Sequence, residues 1–127
     1  MDCFEIVKKA FELKNIPYEN IGGSTLATNL PNGRTFFVMC VNDEIEIGLS
    51  RPNYYKRIDA RRTTIAGRKS VSGIDHIEYN GTHGEPMFGT AIKAIDATVP
   101  EMSKALDDLL KNLNDAMDNF DKYLHLR

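Results

Sequence analysis

The chain has 127 residues, a length that suits one domain (1–127) and is short for two. Apolar residues make up 42% and charged residues 27%, near the globular average, which excludes a chain too polar to form a core. Net charge is −2, no stretch nears the roughly 20 apolar residues of a membrane span, and Met1-Asp2-Cys3-Phe4-Glu5 lacks a basic and apolar leader, so the cytoplasm is the expected compartment.

The first predicted element is a helix. Asp2 suits the N-cap and Glu5 follows three residues on, as in a capping box. Phe4, Val7, Ala10 and Phe11 recur at helical spacing, Ile6 and Leu13 widen the stripe, and Asn15 and Pro17 stop it. A meander follows. Leu26, Thr28 and Leu30 alternate with Thr25, Ala27 and Asn29, and Asn32-Gly33 favours a hairpin turn. Phe36 to Val41 is apolar at every position, which predicts a central strand covered on both faces. Ile45, Ile47 and Leu49 alternate with Glu44, Glu46 and Gly48, as in a strand with one wet face. Cys3 and Cys40 fall in packing patterns and are expected as two reduced, buried thiols.

Residues 50–75 give no firm element. Their charge is the informative part: residues 51–69 carry seven basic side chains against Asp59 alone, while both flanks are acidic. Arg51, Tyr54, Tyr55, Lys56, Arg57, Arg61, Arg62, Arg68 and Lys69 are therefore the candidate ligand-binding residues. Guanidinium and ammonium groups recognise phosphate, and the tyrosines could stack on a base. Arg57 and Arg61 would share a helix face if this stretch were helical. The same residues also fit a solvated segment that balances its flanks, for instance by pairing with the acidic last helix. Gly67-Arg68-Lys69-Ser70 is not a phosphate-binding loop, because Arg68 separates the Gly from the Lys and Arg62 stands where the upstream Gly belongs.

His76 to Tyr79 reads as a strand, Asn80-Gly81 as a turn and Met87 to Ile95 as a longer strand. His76, Glu78, His83 and Glu85 are the one cluster of potential metal ligands, at a spacing that matches no metal motif. No nucleophile elbow and no dinucleotide fingerprint occurs, and no cofactor is implied. The last predicted helix opens on Thr98 and Glu101 as a second capping box. Met102, Leu106, Leu109, Leu113, Ala116, Phe120 and Tyr123 repeat at coiled-coil spacing, with Leu110, Met117 and Leu124 alongside. So long an apolar stripe suits either the chain's own sheet or a homodimer seam.

The expected fold is α+β: an antiparallel sheet of about five strands, with the N-terminal helix and the long C-terminal helix on one face. This order, with Phe36 to Val41 as central strand and the helix from Met102 closing the chain, resembles the layout of type III secretion chaperones and YbjN-like proteins. It departs from them at residues 51–69, which are basic where those families carry an apolar middle helix. The resemblance implies a dimeric, non-catalytic binder. Three functions follow. The first is non-enzymatic binding of an anionic partner, a nucleotide or short nucleic acid, through residues 51–69. The second is a dimeric chaperone or adaptor that binds a protein through its sheet and long helix. The third is a metal-dependent enzyme using the His76 to Glu85 cluster.

Overall fold

Helix formation starts where the capping pattern puts it. In the computed structural model Asp2 Oδ1 accepts the Glu5 N–H at 2.9 Å, and α1 runs Cys3–Leu13. The structure describes residues 2–31, 33–42, 44–51, 60–74, 76–80, 86–93 and 97–125. Asn15 ends the first helical segment in the left-handed region at φ 56°. The chain then forms β1 (Glu19–Gly22), β2 (Thr25–Asn29), β3 (Thr35–Val41) and β4 (Glu44–Ser50). It continues through α2 (Ala60–Ser70), β5 (Glu78–Tyr79) and β6 (Met87–Lys93) into α3 (Val99–His125).

The strands form one antiparallel sheet in the order β1-β2-β3-β4-β6-β5. The fold is thus the expected α+β arrangement, with six strands where about five were read. The additional strand is β1. It is exposed along its whole length, so no buried face imposes an alternating pattern on Glu19-Asn20-Ile21-Gly22. Pairing with β2 alone makes it a strand. At the β2–β3 turn Gly33 takes φ 81° and donates its N–H to Leu30 O at 3.1 Å. Asn32 lies outside the described residues.

One face of the sheet carries the core. Leu26, Phe36, Val38, Ile45, Ile47, Leu49 and Phe88 are buried there, at alternate positions of adjoining strands. Helix α1 lays Ile6, Val7, Ala10 and Phe11 into this layer, and the Phe11 and Phe36 rings stack at 6.0 Å. Helix α3 contributes Met102, Leu106, Leu113, Ala116, Met117, Phe120 and Leu124, all buried. Its capping box forms as read: Thr98 Oγ1 accepts the Glu101 N–H, and Glu101 Oε1 accepts the Thr98 N–H, both at 3.3 Å.

The apolar length of α3 is covered largely within the chain. An ion pair joins Lys14, just past α1, to Asp107 in the first half of α3. Helix α2 packs on the other half, where Asn119 Nδ2 donates to Ser70 O at 3.2 Å and Arg62 Nη2 to Leu124 O at 2.9 Å.

Helix α2 falls within residues 50–75, where local pattern predicts no firm element. Its buried residues are Thr63, Ala66, Gly67 and Ser70, which are small or polar and leave no apolar stripe. Gly67 is required in mid-helix because the Tyr79 ring lies where a Cβ would stand. Tyr79 is in turn stacked on Phe120 at 5.6 Å, so β5 is clasped between α2 and α3. Burial pushes the Tyr79 phenol above its ordinary range, partly offset by a hydrogen bond with Thr63.

Two further expectations are corrected. Cys3 and Cys40 are not separate thiols: they are paired as a disulfide with Cα atoms 6.1 Å apart, strapping the start of α1 to β3. The sequence could not pair them, because only packing α1 across the sheet brings positions 37 residues apart together. Strand β3 is not covered on both faces. Phe36 and Val38 are buried under the helices, whereas Phe37 and Met39 are half-buried and Val41 is 42% exposed on the other side.

Candidate functional site

Five of the nine expected ligand residues lie in the described structure, and they divide into two groups. Arg51 follows β4 and donates from Nη1 to Asp121 Oδ2 at 3.0 Å. Arg62 caps the α3 carbonyl of Leu124, as already noted. Arg61, Arg68 and Lys69 are exposed on α2 and make no ion pair among the described residues. Tyr54, Tyr55, Lys56 and Arg57 lie outside the described residues, as do His83 and Glu85 of the metal cluster. His76 takes φ 64° ahead of β5, so the strand begins at Glu78 rather than at His76. No group of three or more potential ligands that could hold a metal occurs among the described residues.

The sequence singled out no binding residue at the end of β2–β3, yet a cation with several side-chain partners is there. Arg34 is 5% exposed. It donates from Nη1 to Asn114 Oδ1 at 2.8 Å and from Nη2 to Asp118 Oδ1 at 2.6 Å, with Asp121 Oδ2 at 3.4 Å. Arg34 and Arg51 thus converge on Asp121 and fasten the sheet to α3. The acidic last helix does receive counter-charge from Arg51, at Asp121.

The open face of the sheet holds a cavity of about 690 Å³. Its floor is made by two glycines directly opposite each other, Gly48 of β4 and Gly89 of β6. Phe37 pairs with Gly48 across β3–β4, and its ring lies over the glycine so closely that any Cβ there would run into it. At Gly89 a Cβ would come 3.0 Å from Ile47 O. The Phe37 ring thus fills the space over Gly48, and the missing side chain at Gly89 leaves a shallow shelf beside it. Phe37 and Met87 wall the shelf, and exposed Glu46, Glu78 and His76 stand around it. Such a surface offers bare strand backbone beside the Phe37 ring, inside a mainly acidic border, which suits an extended segment carrying apolar and basic side chains. The sequence signal was present in the glycines inside two strands, and it was masked because Phe37 reads as core in an unbroken apolar run.

An antiparallel sheet closed on one face by a short first helix and a long last helix is the fold of YbjN and the type III secretion chaperones. The resemblance read from the sequence therefore holds at the level of fold. The crystal structure of YbjN from E. coli superposes with TM-score 0.72 at 5% identity, over 95% of this chain and 91% of that one. The ExsC–ExsE complex matches with TM-score 0.64 at 10% identity, over 91% of this chain and 90% of the other. The HopA1–SchA chaperone–effector complex matches with TM-score 0.57 at 13% identity, over 87% and 91%. At these identities the likeness is one of fold alone. No protein-family model matches the chain, and no curated protein matches it. None of the described helices is long and apolar enough to cross a membrane.

Proposed function

We propose that this protein is a non-enzymatic, chaperone-like adaptor that binds a segment of a protein partner across the open face of its sheet. The observation that carries the reading is the sheet face around Gly48 and Gly89, where Phe37, Met87 and Thr90 are only half-buried and Glu46 and Ala91 are exposed, while the opposite face is filled by helices. The neighbours support it: ExsC was crystallised in complex with ExsE, and SchA was solved in a chaperone–effector complex with HopA1. That support favours a protein partner over the nucleotide expected at residues 51–69. In this reading the protein works in the cytoplasm.

The test is capture from the host's cells by a photo-crosslinking residue at Ala91, an exposed position lining the cavity. One partner should be trapped from Ala91 and not from Lys111, an exposed position on α3. With the crosslinker kept at Ala91, Glu46→Arg at an exposed position lining the same cavity should abolish the capture without altering the melting temperature. Equal capture from both positions would refute a sheet-face site.

The reading includes a homodimer through α3. The half-buried Leu109 and Leu110 are apolar surface that α3 leaves for it. Sedimentation at micromolar concentration should give twice the 14.3 kDa chain mass. A monomer at all concentrations would remove the dimer from the reading.

A further inference from the structure

We infer that the groove between α2 and the C-terminal end of α3 is a second docking site, and that its occupant is an acidic peptide segment with an apolar anchor. Helix α2 carries Arg61, Arg62, Arg68 and Lys69 and no acid. Arg61, Ile65 and Lys69 are spaced four residues apart, so they stand one above another on one helix face. Ile65 is 46% exposed between those two cations, and Tyr123 of α3 is 45% exposed. Both line a groove of about 290 Å³ whose floor is the buried Ala66 and Leu124. The Arg62 bond to Leu124 O ties the two walls together, which keeps the groove open without spending Arg61 or Lys69.

Each part of the proposed occupant answers one of these observations. Two large apolar side chains left in water beside each other's groove call for an apolar anchor. Cations on the rim, with no ion pair among the described residues, call for carboxylates on either side of it. The volume lies just under the roughly 300–1,000 Å³ of small-molecule pockets and the floor is aliphatic, which suits one or two anchoring side chains better than a nucleotide. The groove lies on the helix side of the sheet, apart from the Gly48 and Gly89 shelf, so it does not depend on the adaptor reading.

The probe is a short fluorescein-labelled peptide of alternating Glu and Leu, followed by anisotropy, with Lys/Leu and Glu/Ser peptides as controls. The Glu/Leu peptide should bind, and more weakly as salt rises. Arg61→Glu with Lys69→Glu should weaken it about tenfold or more, the scale of two rim charges reversed. Ile65→Ser should weaken it as well, and Ala91→Arg should leave it unchanged. If the double reversal fails to fold, Arg61→Gln with Lys69→Gln replaces it. Equal binding of the Lys/Leu or Glu/Ser peptide would overturn the proposal, as would full displacement by ATP. Self-association abolished by the charge reversal would also overturn it, by making a second copy the occupant.

Discussion

Leu113→Ala is expected to cost about 2–5 kcal/mol of folding stability, read from chemical denaturation. Leu113 is fully buried midway along α3 and belongs to the layer that α3 presses onto the covered face of the sheet. Truncation removes its transfer free energy and leaves a void. Collapse around the void is restricted. The preceding half of α3 is held by Lys14 at Asp107 and the following half by Arg34 and Arg51 at Asp118 and Asp121, so the helix cannot settle inward freely. A loss under about 0.5 kcal/mol would mean that this face of α3 is exposed.

The second large effect concerns the charge cluster at Arg34. Asp118→Asn combined with Asp121→Asn should cost about 2–4 kcal/mol, because it strands a guanidinium that is only 5% exposed. The figure is below that of a fully buried pair because the Asp118 side chain is 66% exposed and screened by water. Arg34→Met should cost less. It removes the buried charge itself, leaves Asp118 to solvent and leaves Asp121 bonded to Arg51. Urea denaturation of both variants gives the order. If Arg34→Met proved the more damaging, the packing of the arginine stem would outweigh its charge.

The cluster also bears on the basic segment. Of its described members, Arg51 and Arg62 act on α3, and Arg61, Arg68 and Lys69 face solvent. A segment that looked uniform in sequence therefore has two uses. Local spacing could not separate them, because the partners, Asp121 and the Leu124 carbonyl, lie 62 to 70 residues further along the chain.

What the sequence determined by itself was whatever rests on local periodicity. Asp2 with Glu5 and Thr98 with Glu101 marked both helix starts, since a cap needs only residues three apart. The alternation around Ile45, Ile47 and Leu49 located a strand whose one face is buried, and the α3 stripe located the long helix. Those elements, in that order, were enough for the α+β fold and its likeness to the chaperones. Tertiary structure alone decided the rest. Helix α2 buries small and polar residues, so its pattern has no apolar period, and only the Tyr79 ring on Gly67 explains its packing. The Cys3–Cys40 bridge, the Arg34 clamp and the glycine shelf beside Phe37 each join residues from different elements. Such contacts depend on strand register and helix placement, which are set by burial summed over the whole sheet and not by any short run of sequence.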